Sequence, residues 1–337
     1  MSRQPTVSVL MTAFNREKYI GAAIESVLAQ SIDDFELLIV DDRSRDGTVD
    51  IAADYARRDR RIRVVVNESN LGDYPNRNRA ARQARGRFLK YHDSDDLMYP
   101  HCLATMVAPL AAEPRAGFAL TNGTWWPGGP CPMLLTPRMC YQREFLGHGL
   151  FMCGPAGALF RTEVFHALGG FPETGVGSDY LLWLSGCAQF SVLLVPADLF
   201  WYRVHGTQEY NSARATWEYA MVPGEAWRAL ASPTCPLNLA ERAQARRNLL
   251  YSVVKLTYRD LRAGRWPVAR HRLRRLGLSA ADWLRYLRRP RRDAFAGTPR
   301  DAAGELVIPD WSHYQIAQIA APPAAEAPAP CRTAVSE

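Results

Sequence analysis

Hydrophobic residues in the first 125 positions switch repeatedly between two periods, and this alternation narrows the fold before any single residue is considered. Residues 7–11, 35–40, 63–66, 87–91 and 117–121 are short apolar runs that read as buried strands. Between them, 19–30, 48–58, 75–84 and 97–112 read as helices, with Ile20, Ile24, Val27 and Leu28 at helical spacing in the first. Repeated βα units with short connections predict an α/β fold: a mostly parallel sheet, right-handed crossovers and helices on both faces. Ligands of such sheets bind outside the carboxyl ends of the strands. Two of those ends close on acids, Asp41-Asp42 after the second strand and Asp93-Ser94-Asp95-Asp96 after the fourth.

The second cluster is the more demanding. Two carboxylates about 4 Å apart repel by roughly 4 kcal/mol at an effective dielectric near 20. A divalent cation that also carries a phosphate relieves that repulsion, because hard cations take oxygen ligands and bridge to phosphates. A solvated acidic turn is the plainer alternative.

Beyond residue 145 the pattern loosens. Gly154-Pro155, Gly169-Gly170 and Phe171-Pro172 punctuate it, 179–187 reads as a helix and 190–195 as a strand. Residues 215–286 are largely helical, with Leu249, Leu250, Val253, Val254 and Tyr258 forming one apolar stripe. The net charge of +7 is unevenly spread: Arg246 to Arg300 is heavily basic, and nearly all of the positive charge is Arg, with Lys18, Lys90 and Lys255 the lysines. After residue 310 the chain turns to Ala and Pro, a composition that cannot build a core and is expected to be disordered.

The seven cysteines are scattered without a CxxC pair, so neither a zinc site nor a disulfide framework is expected, and a reducing, cytoplasmic setting fits. The apolar run at 7–11 is too short for a signal peptide, and 181–195 is too short and too polar to span a bilayer.

In order and spacing, these motifs resemble the family 2 glycosyltransferases, which have the GT-A nucleotide-diphospho-sugar fold. The resemblance rests on Val7-Ser8-Val9-Leu10-Met11-Thr12-Ala13-Phe14-Asn15, on Glu36-Leu37-Leu38-Ile39-Val40-Asp41-Asp42, and on Asn70-Leu71-Gly72 with Arg77-Asn78. It continues through Gly86-Arg87-Phe88-Leu89-Lys90-Tyr91-His92-Asp93-Ser94-Asp95-Asp96, Leu168-Gly169-Gly170-Phe171, Ser178-Asp179-Tyr180 and Trp201-Tyr202-Arg203-Val204-His205. It implies a GT-A domain over 1–212, with a nucleotide-sugar-binding half at 1–125 and an acceptor half at 126–212. A basic helical appendage (213–295) and a Pro/Ala-rich tail (296–337) would follow.

The resemblance also implies roles. Asp42, with Asp41 beside it, would hydrogen-bond the nucleobase, and a carboxylate accepting from a uracil imide N–H has the required polarity. Thr12, Ala13 and Asn15 would line the base and ribose pocket, and Arg77 would meet base or diphosphate as a forked donor. Asp93, Asp95 and Asp96 correspond to the family's D-x-D signature. Asp95 would meet ribose or metal, and Asp95, Asp96 and His205 would hold Mg²⁺ or Mn²⁺ to neutralise the departing diphosphate. Asp179 would be the general base of a single, inverting displacement. Each has a plainer reading: Asp42 as a helix cap, Arg77 on a solvated helix face, His205 on the surface, Asp179 as a helix N-cap. His92 reads as strand-end structure.

Several positions depart from the family pattern. Ser178 stands where a first acid is usual before Asp179, Arg43 where a Gly is usual, and Arg45 where a Thr is usual. Trp125-Trp126-Pro127 is a candidate sugar platform, or core.

The expected partners are a nucleotide-diphospho-sugar donor, most simply a UDP-sugar, and a glycan or lipid-linked acceptor. The basic helices are candidates for peripheral docking on the inner face of an anionic membrane, or for a solvated face or dimer contact. Nucleic acid is not expected, because Trp266 and Trp283 among the arginines fit helix packing. The rival from another class is a catalytically silent nucleotide-sugar-binding scaffold. A nucleotidyltransferase would want a Gly-rich, Lys-containing loop after strand one, which Thr12-Ala13-Phe14-Asn15-Arg16 is not.

Overall fold

A computed structural model describes residues 4–121, 131–147, 149–175, 177–206, 208, 212–279 and 281–282. The chain opens with β1 (Val7–Ala13), α1 (Ile20–Leu28), β2 (Phe35–Asp41), α2 (Thr48–Arg58), β3 (Ile62–Val66), α3 (Asp73–Gln83) and β4 (Phe88–Asp93). These four strands pair in parallel in the order β3-β2-β1-β4. Both β1 and β2 are covered on both faces, which is why their sequences are continuously apolar. Alternate residues feed two cores: Leu10, Leu38 and Tyr91 face one helical layer, while Val9, Met11 and Leu37 face the other.

Ser8 and Gly86 lock β1 against the entry to β4. Ser8 Oγ accepts from the Gly86 N–H at 2.8 Å and donates to Glu36 Oε1 at 2.5 Å. A Cβ at residue 86 would lie 2.3 Å from the Ser8 nitrogen, so only glycine permits this approach.

The sheet then departs from the parallel pattern. After β5 (Leu97–Met98), α4 (Cys102–Ala112), β6 (Ala116–Thr121), β7 (Met133–Leu135) and α5 (Pro137–Phe145) comes β8 (Ala158–Arg161), followed by α6 (Thr162–Ala167), α7 (Ser178–Gln189) and β9 (Ser191–Val195). β8 inserts between β4 and β6, antiparallel to both. β9 pairs in parallel with β6, and β7 closes the edge antiparallel to β9. β1 to β4 and β6 to β9 form one eight-stranded sheet.

One expected helix starts late. Leu97 and Met98 pair instead with Trp201 and Phe200 of β10 (Phe200–Trp201), and α4 begins only at Cys102. Pro100 disfavours a helical Tyr99, which separates the two elements. Trp125, Trp126 and Pro127, and Trp283 with the tail, lie outside the described residues.

The C-terminal region is helical as expected: α8 (Ala213–Tyr219), α9 (Val222–Ala231), α10 (Leu239–Arg262) and α11 (Trp266–Leu276). A capping box of Asn238 and Glu241 starts α10. The helix docks on α5 through Asn248 Nδ2, which donates to the Phe145 carbonyl at 2.9 Å, and through the Arg138–Glu241 ion pair. Buried Asp260 accepts from Arg265 and Arg272 and so ties α10 to α11. Leu250 and Val253 pack inward, but Tyr258 leaves the expected apolar stripe at 60% exposure, and Trp266 is 65% exposed rather than packed.

Candidate active site

Strand order reverses at β1: β2 and β3 lie to one side, β4 to the other. Crevices open at such switch points, beyond the carboxyl ends of the strands. Here a cleft of about 540 Å³ is lined by Thr12 and Ala13 at the end of β1, Asp42 after β2, Arg77 on α3, and Asp93 and Asp95 after β4. Its size is that of a ligand site.

Asp42 is buried, and its carboxylate roofs the cleft. It accepts from Asn67 Nδ2 (2.7 Å), the Leu71 N–H (2.8 Å) and the Gly72 N–H (2.8 Å). A carboxylate has about four lone-pair positions, so one remains for a ligand donor. Gly72, at φ 88°, supplies the left-handed turn that aims these amides inward.

Arg77 bridges Asp73 and Asp93, each at 2.7 Å. Its Nη1 is buried without a hydrogen-bond partner, which leaves one donor of the fork uncommitted. Burial works against the Asp93 charge, but the Arg77 guanidinium outweighs it and holds the Asp93 pKa below its ordinary value.

Asp41, Asn15 and Asp96 have the expected residue types but do not line the cleft. Asp41 is spent on the turn, accepting from the Ser44 N–H at 2.8 Å and from the Ser44 hydroxyl at 2.5 Å. Asn15, at φ 54°, accepts the Arg45 N–H at 2.9 Å and shapes the loop after β1. Asp96 turns the other way: Oδ1 accepts the Arg203 N–H at 2.9 Å, and Oδ2 is buried without a partner. Burial and the nearby Asp93 charge push the Asp96 pKa up to about 7.

Asp95 stays at the cleft. Its Oδ2 lies 2.9 Å from His205 Nε2, and the His205 ring stacks on Tyr19 with centroids 4.8 Å apart. The same oxygen accepts from Arg16 Nε at 3.0 Å. Among the described residues no three metal-ligating side chains converge. One carboxylate and one imidazole nonetheless suit Mg²⁺ or Mn²⁺, which take phosphate oxygens and water in their remaining positions. The donor set therefore fits Asp95 with His205 and omits Asp96.

Asp179 sits in the first turn of α7, after Gly177, which adopts φ 96°. It is the second residue of the helix rather than its cap. It does not line the cleft itself; Tyr74, Glu173 and Gly175 do. Burial pushes its pKa up to about 6, while the Tyr180 N–H, the Arg77 charge and the Tyr74 hydroxyl draw it back.

Arg16 was invisible to motif reading. The signal was a cation directly after the first strand's loop, on the side where phosphate would lie. The Arg43 departure also has a structural reading: its φ is 68°, a left-handed conformation that favours glycine, and its guanidinium is anchored on the Glu68 carbonyl.

Residues 8–169 match the model of the family described as "Glycosyl transferase family 2". The matched stretch, just under half of the chain, is similar to the family 2 glycosyltransferases, and the domain has the GT-A fold. Among curated relatives, Escherichia coli WfgD, named a UDP-Glc:alpha-D-GlcNAc-diphosphoundecaprenol beta-1,3-glucosyltransferase, is 37% identical over 104 residues, 31% of this chain and 40% of that one. The chain spans less than half the length of the curated relatives it matches, 31% to 40% for the first three.

Among solved structures, S. aureus TarS with UDP-GlcNAc superposes with a TM-score of 0.55 at 23% identity, covering 73% of this chain and 71% of that one. The mannosyltransferase PcManGT from Pyrobaculum calidifontis, with GDP-Man and Mn²⁺, gives a TM-score of 0.52 at 20% identity, covering 84% and 81%.

Proposed function

We propose that the chain is an inverting, metal-dependent glycosyltransferase that moves a sugar from a nucleotide-diphosphate donor, a UDP-sugar in the first instance, to a hydroxyl of a glycan or lipid-linked acceptor in cell-envelope or polysaccharide synthesis. The observation that carries this is the cleft at the β1 switch point, where Asp42, Arg77, Asp93 and Asp95 converge from two separate strand ends and a helix. The names of WfgD and of the TarS complex support a UDP-sugar donor, and WfgD supports a lipid-linked acceptor. The Mn²⁺ in the PcManGT structure supports a divalent metal.

In this reading Asp42 accepts from the base while holding the 70–72 loop over it. Thr12 and Ala13 floor the base and ribose pocket. Arg77, with Nη1 uncommitted, supplies a forked cation toward the phosphates. Asp95 and His205 would hold Mg²⁺ or Mn²⁺, whose contribution when bound is charge stabilisation of the departing diphosphate. Asp179 takes the acceptor hydroxyl's proton. A pKa of about 6 leaves it ionised at neutral pH yet basic enough to be useful.

The test is a donor screen by thermal shift, UDP- and GDP-sugars with and without Mn²⁺. A ligand at 100 times its dissociation constant adds about 2.7 kcal/mol of stability. If no nucleotide sugar moves the transition under either condition, the reading fails. Binding without transfer to any acceptor identifies a silent scaffold instead.

The C-terminal helices extend the proposal to peripheral docking on the inner face of an anionic membrane. No helix of the described residues is long and apolar enough to cross a membrane. On α10, Tyr251, Lys255, Tyr258 and Arg262 follow helical spacing and are exposed, and Trp266 continues the aromatic surface. Aromatic rings and cations together suit the headgroup region, with about 1 kcal/mol per basic residue. Flotation with phosphatidylglycerol vesicles, and not with phosphatidylcholine vesicles, is the expected result; equal or no flotation removes this part.

A further inference from the structure

We propose that Arg16 is a built-in placeholder for the metal, so that the divalent cation binds well only when a diphosphate arrives to take the arginine away. This rests on the reading of Asp95 and His205 as the metal's protein ligands.

The geometry is specific. Arg16 Nε donates to Asp95 Oδ2 at 3.0 Å, the oxygen that also faces His205 Nε2 at 2.9 Å. Nη1 is clipped to the Phe14 and Asn15 carbonyls at 3.1 and 3.2 Å. The Arg16 backbone N–H is fixed on Thr48 Oγ1 at 2.7 Å. The side chains of Arg16 and Asp95 are only 20% and 13% exposed, so water screens the pair weakly. A metal on Oδ2 would meet two present neighbours of different capacity. Imidazole can turn a nitrogen lone pair to the cation, whereas guanidinium has no lone pair and does not deprotonate in proteins. Arg16 must therefore leave Oδ2 and needs another anion. It lines the cleft, where a donor's diphosphate offers oxygens that a guanidinium fork matches. Metal and donor then favour one another through the displacement of one side chain, and the coupling is reciprocal.

The test measures Mn²⁺ binding to the full chain by the electron paramagnetic resonance of free Mn²⁺, without turnover. In the unmodified protein, saturating UDP is expected to tighten Mn²⁺ about tenfold or more, within the usual range of coupling. Arg16→Gln is expected to bind Mn²⁺ about tenfold more tightly than the unmodified protein without UDP, and to lose most of the UDP effect. Arg16→Lys keeps the charge and is expected to stay weak without UDP. If Arg16→Gln binds Mn²⁺ no more tightly, or if UDP leaves Mn²⁺ affinity unchanged in the unmodified protein, the proposal is overturned, the second outcome standing however the variants fold. Asp95→Asn separates the underlying reading: if it retains full Mn²⁺ affinity, the Asp95 metal assignment falls, whatever Arg16 does.

Discussion

Replacing Asp179 with Asn is predicted to slow the enzyme and stabilise the protein at the same time. An ordinary aspartate titrates at 3.8, and burial moves Asp179 to about 6. A carboxyl whose folded pKa is raised contributes stability that is fully present below the unfolded value and is lost as pH rises through the folded one. The gap of about two pH units corresponds to about 3 kcal/mol at neutral pH, since each unit is worth 1.36 kcal/mol. Asp179→Asn removes that penalty, so its unfolding free energy at pH 7 is expected to rise, by at most about 3 kcal/mol. The advantage over the unmodified protein should shrink between pH 6 and pH 4. Transfer should run the opposite way, falling roughly 10²- to 10⁴-fold with loss of a general base. In the unmodified protein the rate should be nearly constant above pH 7 and about tenfold lower at pH 5, because only about a tenth of the base is then ionised. Urea denaturation at pH 7 and pH 4.5, paired with initial rates from pH 5 to pH 8, tests both limbs. A flat rate profile across pH 5–7, or an Asn variant as active as the original, would refute the reasoning.

Gly86→Ala should destabilise by roughly 3 kcal/mol or more, because its methyl meets the Ser8 backbone at 2.3 Å and neither strand can yield; an unchanged melting temperature would contradict this packing. Asp260→Ala should cost about 3–5 kcal/mol by stranding buried Arg272. Donor affinity measured by calorimetry should survive that change, since the damage is confined to the α10–α11 corner; a parallel loss of donor binding would show the appendage to be part of the site.

The first half of the fold was legible because each element carries its own period. α2 spans 48–58 as the spacing indicates, and β1 to β4 fall on their apolar runs. What was not legible depends on distant partners. Leu97 and Met98 look helical until Phe200 and Trp201 arrive beside them, and nothing in Ala158–Arg161 announces an antiparallel insertion between β4 and β6. The site divides the same way. The order of the family-like motifs pointed to Asp42, Arg77, Asp93 and Asp95, which the cleft brings together. Asp41, Asn15 and Asp96 share those signals, but Ser44, Arg45 and Arg203 claim them through local hydrogen bonds that a motif does not encode. Arg16 shows the converse, a side chain drawn to the site by a partner 79 positions away.

The antiparallel strand β8 has a consequence for how such a molecule can respond to its substrates. By hydrogen-bonding to β4 on one edge and β6 on the other, it welds the parallel β1–β4 half and the strands beyond it into one continuous sheet. Clamshell closure would require breaking a ladder in the middle of the core. Substrate capture must therefore be accomplished by surface segments moving over a rigid floor. The radius of gyration in solution should stay constant through the reaction cycle, even as the 70–72 loop and the Trp201–His205 segment change their order.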